Sequence, residues 1–373
     1  MKERDNMDFL NEENVEEMKV GLFNNKSYYG KKSSVLKSGI CKYVRRKMYK
    51  KFEWCIIEMC LFGLKSKGLM TNLVNRLKIL VYEEISFDEV DNICRMIDLL
   101  DEIDNFESKD IVNRVKILLE FCVIVKKCKR NRFVSYLNNW WKRRVYKYNF
   151  DLINDEILKN VKKYKKKGDS DELLKLGELL IFELNLKERS NRIFDLFNKM
   201  VKIEDKCGLR YRRRDGIYLF WEIIEDMFCN KNEKFKKIFE FSLNRFFKKN
   251  MNERLYFGIW ICMYVWKYDE LNWDNDEVIE RLNINEEDVK KYMIKRVNME
   301  INDDFVINDF HVNKKFGLDK FGKVGSLVID EDYGIIDNEI GEEMRNYYVK
   351  CKVDSVKDKK VKDKKVKDKK VKD

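Results

Sequence analysis

The chain has 373 residues, 44% of them hydrophobic and 13% aromatic, enough for one large or two medium globular domains. Its formal charge is +12, but ten Lys and five Asp between Val353 and Asp373 supply +5 of that and leave +7 for the body. Such a balance permits a nucleic acid or a membrane surface as partner without demanding either. No apolar run reaches the roughly 18 residues of a membrane span, and the opening MKERDNMDFLNEENVEE lacks an apolar leader core, so a soluble, intracellular protein with no membrane partner is expected.

Proline, alanine and glutamine are missing, and threonine and histidine occur once each, as Thr71 and His311. All five residue types need cytosine at the first or second codon position, which points to a cytosine-poor gene, as in the AT-rich genome of a large DNA virus or a parasite. The missing proline is therefore weak evidence about structure. Ten cysteines lie mostly in apolar helical runs and form no CxxC pair; with one histidine available, the usual Cys/His zinc patterns are ruled out. Buried reduced thiols are expected, with no metal site and no cofactor.

Residues 1–30 read as a polar lead-in. Ser33 to Met48 places Leu36, Ile40, Val44 and Met48 on one helical stripe, with Lys37, Lys42, Arg45 and Arg46 turned away from it as a cationic side. Phe52 to Phe62 is apolar nearly all round, the pattern of a central core helix. Thr71 to Ser86 sets Leu73, Leu77, Leu80 and Val81 on its packing side and Asn72, Asn75, Arg76 and Glu83 elsewhere. Amphipathic helices follow at Asp88–Asp104 and Lys109–Lys127, then Lys126 to Lys147, rich in Lys and Arg with Tyr136, Trp140, Trp141 and Tyr146 between them. Helical periodicity continues over Leu152–Tyr164, Glu172–Leu184, Ile193–Val201, Gly216–Phe228, Phe235–Phe247, Leu255–Trp266, Glu277–Leu282 and Glu286–Val297, with Asp169 or Ser170 suited to an N-cap. Residues 301–352 hold four glycines from Gly317 to Gly334 and the β-like run Ser326 to Asp330, which predicts a small hairpin or irregular region. The ending VKDKKVKDKKVKDKKVKD is too polar to offset the entropy of ordering, and a disordered basic tail is expected over 353–373.

The run Leu36-Lys37-Ser38-Gly39-Ile40 through Arg45-Arg46, the helix Glu53 to Met59, the stretch Thr71-Asn72-Leu73-Val74-Asn75-Arg76-Leu77 and the closing Glu83-Glu84-Ile85 together resemble the helical, clamp-loader-collar-like C-terminal domain of MgsA/RarA-type AAA+ ATPases. Ser86 stands where that family has glycine, and the likeness spans roughly residues 30 to 150. The chain is also similar to proteins of large DNA viruses, through the Gly68-to-Leu77 pattern and Asp309-Phe310-His311. The resemblance implies a collar-like helical protein acting near replication or recombination, without the ATPase half and with no catalytic residues to carry over.

Phosphate binding needs several cations on one face, and exposed rings can stack on unpaired bases. Lys42, Arg45, Arg46, Arg130, Arg132, Arg143 and Arg144 are the candidate nucleic-acid contacts, with Arg212 and Arg213 in a second cluster that includes Arg210 and Arg214. The plainer alternative is solvated helix faces, with Phe133, Leu137, Trp140 and Val145 as a core stripe. Two segments approach a phosphate loop of the form GxxxxGK[ST]: Gly317 to Lys323 ends in Val324, which has no hydroxyl for magnesium, and Gly30-Lys31 has Asn25 in place of the first glycine. Both read better as turns. His311 beside Asp309 lacks a second histidine or a nucleophile, and Glu286-Glu287-Asp288 suits a helix start better than a carboxylate pair.

The expected fold class is all-α: a collar-like helical domain over 31–150, a second helical domain over 151–300, then the irregular region and tail. The expected function is that of a non-enzymatic nucleic-acid-associated protein, a replication or recombination accessory binding DNA rather than RNA. The alternative is a helical scaffold for replication proteins or for further copies of itself, with nucleotide hydrolysis a distant third.

Overall fold

A computed structural model describes residues 26–63, 67–105, 111–135, 158–206, 217–248, 251–274, 284–303 and 306. Eleven α-helices cover most of them: α1 Ser33–Arg45, α2 Tyr49–Gly63, α3 Lys67–Glu84, α4 Val90–Asn105, α5 Ile111–Lys127, α6 Asp171–Asn185, α7 Arg192–Lys206, α8 Tyr218–Ile224, α9 Glu233–Lys248, α10 Met251–Trp266 and α11 Glu286–Lys295. Among the described residues the only β pairings are two isolated bridges, so the all-α class holds. No described helix is long and apolar enough to cross a membrane. The predicted hairpin and the basic tail lie outside the described residues.

The described residues form two compact units, one made of 26–132 with 284–306 and one of 133–274. The expected pair of contiguous domains is corrected here. The first unit is discontinuous in sequence, and α11, assigned by order to the second domain, packs on α5 of the first.

In the first unit α2 is the hub, packing against α1, α3 and α5. Its all-round apolar sequence requires this, and every residue from Trp54 to Gly63 is buried. One of those residues is charged. Glu58, 0% exposed, bonds Arg296 at 2.7 Å from Oε2 and accepts the Tyr29 backbone N–H at 2.7 Å on Oε1. The Arg296 guanidinium lies 4.8 Å from the Trp54 ring centre and 5.2 Å from that of Tyr29. Around it, the Trp54 indole donates to the Val297 carbonyl at 3.0 Å and the Tyr29 hydroxyl to the Arg296 carbonyl at 2.6 Å. Further on, Asp303 accepts from Tyr43 Oη and Lys51 Nζ at 2.5 and 2.7 Å, which holds its carboxyl below the usual range although its partial burial works the other way. These bonds fasten the returning chain across α1 and α2.

The second unit is built on aromatic rings. Phe197 of α7, Phe220 and Trp221 of α8, and Phe239 and Phe246 of α9 meet with ring centres 4.8 to 6.4 Å apart, mostly edge to face or tilted. Gly258 lets α10 approach α7, since a Cβ there would stand 2.0 Å from Phe197 Cζ. Ser170 caps α6 by accepting the Leu173 N–H, as its position in the sequence predicts. Glu178, buried on α6, accepts the N–H groups of Asn160 and Val161 at 3.1 and 2.9 Å and so closes the start of the 3-10 turn Val161–Tyr164. That short turn stands where the periodicity predicts a full helix over Leu152–Tyr164; residues 151–157 lie outside the described set. The helix α8 runs on into a π-turn, Glu225–Cys229.

Eight of the ten cysteines are described, and all eight are buried and free; burial pushes the Cys60 thiol up to about 12. Among the described residues no group of three or more His, Cys, Asp or Glu is placed to hold a metal ion.

Replacing Glu58 by Ala strands a buried guanidinium and unfastens the return segment. Such a loss costs about 3–5 kcal/mol, so urea denaturation of the full chain is expected to show a midpoint far below that of the parent. An unchanged midpoint would show that the pair does not hold the unit together.

Candidate anion site at the end of the first unit

The sequence places Lys42 and Arg45 in the last turn of α1 and Arg46 at its C-cap, where the helix carbonyl end favours cations. The helix stops because Lys47 takes a left-handed φ of 54° and the Met48 N–H turns back to the Tyr43 carbonyl at 2.9 Å. Alongside, α3 ends at Glu84, and the chain from 129 to 131 is pinned to it. Ser86 N–H donates to the Lys129 carbonyl at 3.1 Å and Asn131 N–H to the Glu84 carbonyl at 3.2 Å, with a bridge between Ile85 and Arg130. Three distant stretches are thus gathered at one end of the bundle.

Glu84 lies at the centre, its side chain 1% exposed. Its Oε1 takes Arg45 Nη2 at 2.5 Å and Nε at 2.6 Å, and stands 3.5 Å from Arg132 Nε. Burial and the repulsion of Arg132 work against the charge on Arg45, and Glu84 outweighs them, leaving it above its ordinary value. Arg46, half-buried, is pushed down to about 10, first by burial and then by Arg45, with Glu84 opposing and Arg132 adding to the effect. Arg130 is buried and donates to the Val125 carbonyl, closing the end of α5, with its guanidinium 5.6 Å from the Tyr49 ring centre. Lys42 is buried as well.

The expected cationic outer side of α1 is therefore corrected: Lys42, Arg45, Arg130 and Arg132 point inward, and Arg46 alone of the five described candidates keeps appreciable exposure. The reason is that α1 packs against both α2 and α3, so the side away from the Leu36, Ile40 and Val44 stripe is covered too. Arg143, Arg144, Arg210, Arg212, Arg213 and Arg214 lie outside the described residues, as do Trp140, Trp141, His311 and the Gly317–Lys323 segment. Phe133 of the expected core stripe is buried. Gly30, with φ 74°, sits in a tight turn closed by the Ser27 N–H on the Lys31 carbonyl at 2.8 Å, an ordinary glycine turn. Glu286 to Asp288 opens α11 beside Asn285, whose side chain forms a reciprocal capping box with Asp288.

Two cations that the sequence does not mark as a pair are brought together by α1 and α3. Lys37 and Arg76 are both partly buried, and the Lys37 ammonium is held below its ordinary value by burial and then by Arg76. Lys37, Cys41 and Arg45 follow one another at four-residue steps along α1. Opposite them, α3 offers Arg76, Glu83 and Glu84. A pairing across helices leaves no trace in the local sequence.

The second unit has an open hollow of about 540 Å³ beside the π-turn, lined by Lys163, Tyr164, Glu222, Glu225, Asp226 and Lys236 among others. Asp226 is matched by Lys163 and Tyr164, and Glu222 by Lys166, all near the surface. These are exposed pairs of low energetic weight.

No family model matches the sequence, and neither a curated protein nor a solved structure matches it.

Glu84 is the carboxylate set against two buried guanidinium groups, so Glu84→Gln is expected to destabilise the protein by about 3–5 kcal/mol. Arg45→Met, which leaves Glu84 still facing Arg132, should cost less. Chemical denaturation of the two variants side by side checks the order.

Proposed function

We propose that the chain is a non-enzymatic, nucleic-acid-associated helical protein, a DNA replication or recombination accessory working inside the cell. The observation that carries this reading is the gathering of Arg45, Arg46 and Arg132 around Glu84 at the end of α1, where half-buried Arg46 loses affinity for its own proton. An external anion relieves that repulsion, and a phosphate backbone supplies anions in series. The basic excess of the body, +7 once the tail is set aside, acts in the same direction by drawing polyanions toward the protein. The preference for DNA follows from the resemblance of the Leu36-to-Ile85 stretch to collar-like domains. The reading assigns no cofactor.

A second reading is a helical scaffold for protein partners or for further copies of the chain. Phe182 and Phe247, 62% and 51% exposed on the second unit, favour it. Under that reading, replacing both rings by Ser should dissociate an oligomer seen by light scattering of the parent. A parent that is strictly monomeric and recovers no partner would remove it.

The leading reading is tested with the full chain and fluorescently labelled DNA and RNA oligonucleotides of equal length. Each phosphate contact releases about 0.9 counterion and so weakens binding roughly 3.5-fold between 50 and 200 mM salt, a loss that multiplies with every further contact. A loss of that order, with DNA held more tightly than RNA, is expected. Affinity that ignores salt, or no binding, would overturn the proposal.

A further inference from the structure

Like charges are seldom packed side by side without a counter-charge, because burial and mutual repulsion both work against them. Lys37 of α1 and Arg76 of α3 are packed near one another with no bonded counter-charge, although Cys41 and, against burial, Glu83 hold the Arg76 guanidinium above its ordinary value. Neither makes an ion pair among the described residues. Arg76 forms one hydrogen bond, from Nη1 to the Cys41 sulfur at 3.8 Å, and sulfur is a weak acceptor. The Arg76 Nε is buried with no acceptor at all. Glu83 is close enough to act on Arg76 through its charge, but it is not bonded to it. Packing of α1 on α3 keeps the two cations together, and both retain enough exposure to be reached from solvent.

We infer that Lys37 and Arg76 form a phosphate-binding notch between α1 and α3. A guanidinium offers a planar fork of donors that fits two phosphate oxygens, and an ammonium beside it supplies a mobile third donor. A phosphate there meets the Lys37 ammonium and the accessible part of the Arg76 guanidinium, neither of which makes an ion pair, and it offsets the repulsion by Arg76 that adds to burial in lowering the Lys37 ammonium. The chemistry is that of a phosphate group, whether carried by a nucleic acid or free in solution. In its nucleic-acid form the inference rests on the function proposed above, adding one backbone contact to that of Arg46.

The test uses the full chain, Lys37→Gln and Arg76→Gln, with Arg76→Lys as the variant of choice should Arg76→Gln fail to fold. The probes are a labelled single-stranded DNA and inorganic pyrophosphate, the latter followed by calorimetry. Each Gln variant is expected to bind DNA about tenfold more weakly and to lower the salt slope by about one, and to lose pyrophosphate binding. Lys37→Arg is expected to keep both. DNA binding that the Gln substitutions leave unchanged, with no pyrophosphate bound, overturns the notch and leaves the nucleic-acid reading standing. Pyrophosphate binding that depends on Lys37 and Arg76, without any DNA binding, overturns the nucleic-acid reading and upholds the notch. Absence of both interactions removes both.

Discussion

The first unit depends on a carboxylate and a guanidinium that meet away from water. Glu58 is on the most apolar helix of that unit and Arg296 follows α11, 238 residues later. Neither group is acceptable in such a place alone, since an ion taken out of water costs several kcal/mol unless it is paired. Each is also bonded to backbone: Glu58 accepts the Tyr29 N–H, and Arg296 donates to the Trp54 carbonyl at 3.2 Å. The flanking rings of Tyr29 and Trp54 spread their faces against the guanidinium and keep solvent from it. The pair thereby selects one way for the return segment to lie, where apolar contact alone would tolerate several.

A similar logic governs the other end of the bundle, with the opposite balance. There Glu84 serves Arg45 and Arg132 together, and Arg46 beside them is left with a weakened hold on its proton. Of these three guanidinium groups Arg46 alone keeps appreciable exposure, and it is the one able to meet an anion from solution. Farther along the same two helices Lys37 is lowered as well, by burial and then by Arg76.

Much of the fold was legible in the sequence because helix formation is local. The stripes at Leu36, Ile40 and Val44 and at Leu73, Leu77 and Leu80 mark covered faces, and all six residues are 0% exposed. Ser170 as a cap and the apolar character of Phe52 to Phe62 have equally local causes. The burial of Lys42, Arg45, Arg130 and Arg132 was not legible. Periodicity reveals one covered stripe, whereas a helix wedged between two neighbours has a second, and a polar residue on that second face looks the same as one in water. The Arg45–Glu84 and Arg296–Glu58 bonds span 39 and 238 residues, distances at which no spacing rule operates. The discontinuity of the first unit escaped for the same reason: order along the chain says nothing about where α11 docks.

That discontinuity has a consequence for the order of assembly during synthesis. A ribosome adding about 5–20 residues per second needs tens of seconds to travel from Glu58 to Arg296. Throughout that interval α2 has left the tunnel with a buried acid still waiting for its base. The whole of the intervening unit, α6 to α10, is by then outside and free to collapse on its own rings. The part of the protein that is encoded first is therefore the part completed last, and the nascent N-terminal helices spend longest in need of a chaperone.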